Sequence, residues 1–343
     1  MAWSFICITP TFDLPGFFGV DITSPPGDYT FDVGPSETGH SGSGTDYYHD
    51  TGTFNLSVFS GCTWSITISL QSTPAPPPPA PGPPTHTTTS GYTMVGSDGG
   101  VFAFGSAPYK GSLPGLGVHV SNIVGLVPTA DNRGYFLVGS DGGVFAFGNA
   151  PYLGSLPGLG VSTSSITGIV PTGDDQGYFL VGKDGGVFAF GDAPFLGSLP
   201  GSGVHRSDIV GIAATPSGNG YWLVASDGTV YAYGAAQALG SAPATSSPVS
   251  AIAGTPGGAG YWLVTQNGSV YTFGDARSFN SLPGIGVSPS KPVVGIVHTA
   301  DEGGYWLIGQ DGGIFAFGDA GYVGSLPSLG VVVNDIVGAV PTA

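Results

Sequence analysis

Two sets of carboxylates carry the first question of chemistry. Asp98, Asp141, Asp184, Asp227 and Asp311 recur at one point of a repeat, whereas Asp131, Asp174, Asp175, Asp301 and Glu302 fall between the repeated motifs. Glycoside hydrolysis needs two carboxyl groups converging within roughly 5 to 10 Å, one of them an acid and the other a base or nucleophile. Asp174, Asp175 and Glu302 are the candidates for such a site. The recurring aspartates could attract cations or bind sugar hydroxyls as a ring. Asn267 replaces Asp in one copy, however, which keeps the turn preference and discards the charge. A turn requirement predicts that exchange and an acid requirement does not.

The remaining inventory is sparse. No D-x-D-x-D-G spacing for calcium occurs, and His40, His49, His86, His119, His205 and His298 show no metal-ligand spacing, so they read as surface or loop residues. No metal and no cofactor is expected. Neither a G-x-S-x-G elbow nor a cysteine nucleophile follows residue 90. Five aromatics, Tyr109, Tyr152, Phe195, Phe279 and Tyr322, come after successive repeated motifs near S-L-P-G-L-G-type loops. They are weak ligand-binding candidates: aromatic faces stack on sugar rings, and repetition multiplies weak sites. Packing between neighbouring sheets is the competing account.

Positioning these residues falls to the repeat itself. It reads GYTMVGSDGGVFAFG from Gly91, GYFLVGSDGGVFAFG from Gly134, GYFLVGKDGGVFAFG from Gly177, GYWLVASDGTVYAYG from Gly220, GYWLVTQNGSVYTFG from Gly260 and GYWLIGQDGGIFAFG from Gly304. Successive starts lie 43, 43, 43, 40 and 44 residues apart. That period is the length of a four-stranded propeller blade. Two β-rich runs flank Asp-Gly, a strong hairpin signal for a type I′ turn with positive φ at both central residues. Pairing outward from a two-residue Asp98-Gly99 turn sets Val95 opposite Phe102, Met94 opposite Ala103 and Thr93 opposite Phe104. One face then carries valine and the aromatics, the other mainly Gly, Ala, Leu and Val.

A sheet apolar on both faces has to be covered twice, which blades stacked about an axis achieve. A further strand follows each hairpin: IVGLVPT from Ile123, ITGIVPT from Ile166, IVGIAAT from Ile209, VSAIAGT from Val249, VVGIVHT from Val293 and IVGAVPT from Ile336. Each is expected to be the inner strand of the next blade. The chain enters this region on a hairpin and leaves it on an inner strand, so the first blade lacks its own. The segment 336–342 supplies it, closing a six-bladed β-propeller over 91–343 without an exposed edge.

Before that region, segments 30–33, 53–59 and 64–70 alternate apolar and polar residues between Gly-rich turns, predicting a small β-sandwich over 1–71 with Trp3 and Trp64 in its core. Residues 72–90, STPAPPPPAPGPPTHTTTS, predict an extended polyproline spacer. Cys7 and Cys62 lie near opposite ends of the first segment, as a disulfide in a small exported domain would, with two free core thiols as the alternative.

Composition limits the partners. Six Lys plus Arg against 22 Asp plus Glu give a formal charge of −16, which repels phosphate backbones and anionic lipid. Nucleic acid is therefore not an expected partner. No apolar run is long enough for a membrane helix, so no membrane insertion is expected. The 62 Gly and 30 Pro could signal disorder, but 12% aromatic content argues for a packed core. A charged fraction of only 8% suits an extracellular protein, although residues 1–10 lack the basic start and apolar stretch of a signal peptide.

The repeat G-Y-[WF]-L-V-x-S-D-G-G-V-F-A-F-G-[DN]-A resembles the propeller repeats of secreted actinobacterial proteins over all of 91–343. The segment from Ser41, SGSGTDYYHDTGTFNLSVFSGCTWSITI, resembles small β-rich domains of exported bacterial proteins, a likeness that implies a Cys7–Cys62 pair. Copy five departs from the pattern at Gln266-Asn267-Gly268-Ser269, and copy four has its outgoing loop shortened to SAPATSSP. Such repeats often accompany cell-wall hydrolases or other exported modules. The expectation is a secreted, monomeric, non-catalytic binding or scaffold module for extracellular or cell-envelope glycan or protein. The alternative is a carbohydrate-active enzyme with an acidic axial site. Near-identical blades favour the module, because one catalytic pocket would break the symmetry at one place.

Overall fold

A computed structural model describes residues 91–341 other than 243 and 246, together with the backbone of six earlier strands. The chain divides into two compact units, Met1–His86 and Thr87–Ala343. In the first unit β1 (Ala2–Ile6), β2 (Gly16–Thr23), β3 (Phe31–Gly39), β4 (Ser41–Thr45), β5 (Asn55–Ser60) and β6 (Thr63–Thr67) form two three-stranded antiparallel sheets, ordered β4-β1-β6 and β3-β2-β5. Three of these strands overlap the segments picked out by alternation. Cys7, Cys62 and the side chains of Trp3 and Trp64 lie outside the described residues, as does the spacer 72–90.

The second unit is six three-stranded antiparallel sheets arranged as a propeller-like repeat. Its strands are β7 (Gly91–Gly96), β8 (Val101–Gly105), β9 (Ile123–Pro128), β10 (Gly134–Gly139), β11 (Val144–Gly148), β12 (Ile166–Pro171), β13 (Gly177–Gly182), β14 (Val187–Gly191), β15 (Ile209–Ala214), β16 (Gly220–Ala225), β17 (Val230–Gly234), β18 (Val249–Gly254), β19 (Gly260–Thr265), β20 (Val270–Gly274), β21 (Val293–His298), β22 (Gly304–Gly309), β23 (Ile314–Gly318) and β24 (Ile336–Pro341). Blade one is β24-β7-β8 and blade two β9-β10-β11, and four further triplets continue in chain order to β21-β22-β23, blade six. The last strand thus pairs with the first hairpin, Val340 opposite Thr93 and Ala339 opposite Met94.

Blades of three strands correct the expectation of four. The segment after each outer strand is not a strand: in blade one, residues 106–113 descend to the hairpin tip, where the Leu113 amide donates to the Gly99 carbonyl at 3.1 Å. A short 3-10 turn at Pro114–Leu116 follows, with Gly117 left-handed behind it. Similar turns occur in every blade except the fourth.

The hairpin register differs from the expected one by a single residue. Val95 faces Val101, Met94 faces Phe102 and Tyr92 faces Phe104. Only Gly99 of the turn has positive φ, 75°, so this is a type I turn followed by a left-handed glycine and not type I′. The Gly99 and Gly96 amides donate to the Gly96 and Gly100 carbonyls, both at 2.9 Å, and the Asp98 carboxylate accepts from the Gly100 amide at 2.7 Å. A Cβ at Gly99 would sit 2.6 Å from Leu113 Cδ1, so the site excludes any other residue.

Shifting the pairing by one residue changes which residues share a face. One face carries Tyr92, Met94, Phe102 and Phe104, and the other Thr93, Val95, Val101 and Ala103. The Tyr–Phe face of each blade meets the opposite face of the preceding one: Tyr92, Met94 and Phe104 pack on Trp306 and Ile308, while Val95 and Val101 pack with Tyr135, Leu137 and Phe147. Rings meet across these interfaces, Phe136 to Tyr178 at 5.4 Å and Trp306 to Tyr92 at 5.5 Å. Such tilted pairs add about 0.5–1.5 kcal/mol each beyond the area they bury. In blades four to six the indole N–H groups of Trp222, Trp262 and Trp306 donate within the blade to the carbonyls of Gln237, Arg277 and Gly321 at 2.7–2.8 Å.

Candidate functional site: the axial channel and the outer rim

Each inner strand carries a one-residue bulge. In blade three Ile166 faces Gly182 and Gly168 faces Val181, leaving Thr167 unpaired. The equivalent bulged residues are Val124, Thr167, Val210, Ser250, Val294 and Val337. All six line two adjoining cavities. Bulges re-aim side chains, and here they mark one level of the axis. The inner cavity, about 330 Å³, is lined by all six inner strands. Its lining is apolar apart from backbone and small hydroxyls, and His298 is the one titratable side chain among its described lining residues. His298 stacks on Trp262 at 5.8 Å with its Nδ1 2.9 Å from the Thr299 carbonyl, so it belongs to the channel wall and not to a surface loop.

The second cavity, about 530 Å³, opens on the hairpin-tip side and is more polar, with Ser140, Lys183, Asp208, Ser226 and Gln310 in its wall. Asp208 is already engaged. The Arg206 guanidinium donates to it twice at 2.8 Å and to Asp227 at 2.8 Å, and Ser226 Oγ adds a bond at 3.0 Å. Burial pushes the Asp227 carboxyl up, but bonds from Arg206 and Thr229 outweigh it and hold the group at about 2.

None of Asp174, Asp175 and Glu302 lines either axial cavity. They occupy the turns that join inner strands to hairpins. Asp175 and Glu302 have φ of 60° and 58°, the left-handed position that Asn132, Gly218 and Gly258 fill in other blades. The Asp175 carboxylate accepts from the Ala130 amide of the preceding blade at 2.9 and 3.1 Å. Burial raises the Asp175 carboxyl, the Ala130 amide opposes that, and the charges of Asp131 and Asp174 add to the rise.

Sequence reasoning missed the partners of these acids. Asp174 lines a cleft of about 380 Å³ with Asp192, Pro194 and Asn219. Bonds from the Thr172 hydroxyl and the Gln176 amide lower the Asp174 carboxyl. In blade six Thr299 Oγ1 lies 3.4 Å from Asp319: burial and then the charge of nearby Asp301 raise Asp319, while the Thr299 hydroxyl lowers Asp301. In blade two Asn149 Nδ2 donates to Asp131 at 2.8 Å. The signal was the [DN] of the motif's G-[DN]-A ending. Among the described residues no group of three or more His, Cys, Asp or Glu could hold a metal ion.

The recurring aspartates are turn acceptors. Asp141, Asp184, Asp227 and Asp311 accept from backbone amides two residues on at 2.9 Å, as Asp98 does, and Asn267 Oδ1 does the same for Ser269 at 3.1 Å.

The five aromatics separate into two groups. Tyr109, Tyr152, Phe195 and Tyr322 stand 57, 59, 61 and 55% exposed on the outer rim. The tyrosine hydroxyls donate to Ser112, Ser155 and Ser325 Oγ at 3.0–3.1 Å, which fixes each ring over its 3-10 turn. Phe279 is half-buried and meets Tyr305 edge-on at 5.6 Å. Blade five's counterpart of the exposed rings is Ser278 and blade four's is Ala238; Phe279 corresponds to Lys110, Leu153 and Leu196.

No protein-family model matches this chain, and no curated protein matches it.

Proposed function

We propose that the chain is an exported, non-catalytic binding or scaffold module. It recognises extracellular or cell-envelope glycan, or a protein presented there, through surfaces repeated from blade to blade on a closed six-bladed β-propeller. The first unit is a small β-sandwich in this reading. The observation that carries it is the row of exposed rings Tyr109, Tyr152, Phe195 and Tyr322 at equivalent positions. Exposed rings, three of them held at the hydroxyl end by a serine, suit stacking on sugar, which favours glycan over protein. Asp174, Asp175 and Glu302 serve turns and a neighbouring amide, which leaves the acidic axial site of an enzyme without its carboxylates.

The test is depletion of the full chain from solution by insoluble peptidoglycan, cellulose and chitin. Retention on at least one of them, lost when Tyr109 and Tyr152 are both changed to alanine, is expected. No retention on any of the three would overturn the glycan reading.

A further inference from the structure

The four exposed rings are not spread evenly round the propeller. They belong to blades one, two, three and six, while blades four and five carry Ala238 and Ser278 in the same place. In sequence the blade-six ring, Tyr322, is the farthest from the others. The pairing of β24 with β7, and the packing of Trp306 and Ile308 against Tyr92, make blade six the neighbour of blade one. Four rings therefore lie on consecutive blades, in the order Tyr322, Tyr109, Tyr152, Phe195.

A second difference follows this division in part. Three of the four ring-bearing blades, two, three and six, also bring an acid of the inner turn beside an acid or amide after the outer strand: Asn149 Nδ2 donates to Asp131 at 2.8 Å, Asp174 and Asp192 line one cleft, and Asp301 lies near Asp319; blade one, with Ser106 after its outer strand, does not share this feature among the described residues. Blades four and five have Ser217 with Ala235 and Gly257 with Asp275 at those positions, so neither has the pair. One carboxylate oxygen of each of Asp131, Asp174 and Asp301 accepts from the turn amide two residues on, so the turn uses it, while blades four and five form the same turn with Ser217 and Gly257. The cleft holding Asp174 and Asp192 reaches Pro194, next in the chain to the exposed Phe195. Carboxylates and amides accept bonds from, or share them with, sugar hydroxyls.

We infer that this sector, blades six-one-two-three, is a single extended binding surface for one polymeric, uncharged glycan chain, with blades four and five as its blank side. The inference rests on the glycan reading above. Charge selects the polymer: with six basic residues against 22 acidic, a polyanion is repelled. Contiguity supplies the affinity. Once one ring holds a segment of chain, the next sees it at high effective concentration, which raises affinity by about 10²–10⁴-fold without a new contact.

The experiment uses the full chain and whichever of cellulose or chitin retains it, together with the soluble oligosaccharides of that polymer from two to eight units. Four variants, Y322A, Y109A, Y152A and F195A, remove exposed rings and should melt with the parent protein. Loss of an interior ring, Tyr109 or Tyr152, should weaken polymer binding roughly tenfold more than loss of an end ring, Tyr322 or Phe195, since it divides the surface. Ser278→Tyr should extend the row into blade five and tighten polymer binding. Equal losses from all four variants, or affinity that does not rise with oligosaccharide length, would overturn the single surface while leaving glycan binding in place. No binding by the parent protein would overturn both.

Discussion

The Tyr92 hydroxyl donates to the Gly324 carbonyl, joining residues 232 positions apart. The same bond links Tyr135 to Gly111, Tyr178 to Gly154, Tyr221 to Gly197, Tyr261 to Gly240 and Tyr305 to Asn280, where the separation is only 21–25 residues. Each blade is therefore clasped by the segment leaving the blade before it, and the long-range member of the set is the one between blades six and one. Burial of these tyrosines pushes Tyr92, Tyr135, Tyr178, Tyr221 and Tyr261 up to about 12.

Tyr92→Phe should lower stability by about 1–3 kcal/mol, because it leaves the Gly324 carbonyl without its donor. Tyr178→Phe should cost a similar amount through Gly154. Thermal melts of both variants check this, and an unchanged melt for Tyr92→Phe alone would mean that the clasp between blades six and one is not made in solution.

Alkaline unfolding should follow from the same row. An ionisable group whose folded pKa is raised stabilises the fold below its unfolded value and loses that contribution as pH climbs through the folded one. The stability curve should stay flat up to about pH 10 and fall steeply between about 10 and 12. Tyrosinate absorbance against pH, run beside circular dichroism, would show ionisation of the buried set coinciding with unfolding.

Removing 336–343 takes away the inner strand of blade one, with Ile336 and Val340 buried in two different interfaces. A large drop in melting temperature is expected. If the truncated chain melted like the parent, β24 would not be closing blade one.

Asp98→Asn should be nearly neutral and Asp98→Ala should cost about 1 kcal/mol, since the turn needs an acceptor for the Gly100 amide and no charge. Asn267 already performs that exchange in blade five. Chemical denaturation of the two variants distinguishes the roles; equal losses from both would point to a use for the charge.

Glu302→Gly should raise stability by about 0.5–1 kcal/mol. Glu302 sits at φ 58°, where Gly218 and Gly258 stand in blades four and five, and a side chain in the left-handed region costs about 1–2 kcal/mol before glycine's own entropy is counted. Urea midpoints measure the difference, and a loss of stability would show that the Glu302 side chain makes a contribution of its own.

Much of this architecture is legible in the residues. The 43-residue spacing, the Asp-Gly hairpins and the match of six hairpins to six inner strands with the first blade incomplete lead to the pairing of β24 with β7, because a two-sided apolar sheet is stable only between neighbours. Tertiary structure decided the rest. Asp-Gly suits both type I′ and type I turns, and the choice fell to the Gly100 amide bonding Asp98 and to Leu113 packing over Gly99. A one-residue change in register then determined which aromatics face which blade. Similarly, Phe279 and Ser278 are adjacent in sequence, yet packing against Tyr305 puts Phe279 inward and leaves the rim position to the serine. Asp174 with Asp192 and Asp301 with Asp319 are 18 residues apart in sequence, and only the return of the outer strand beside the inner turn brings each pair together.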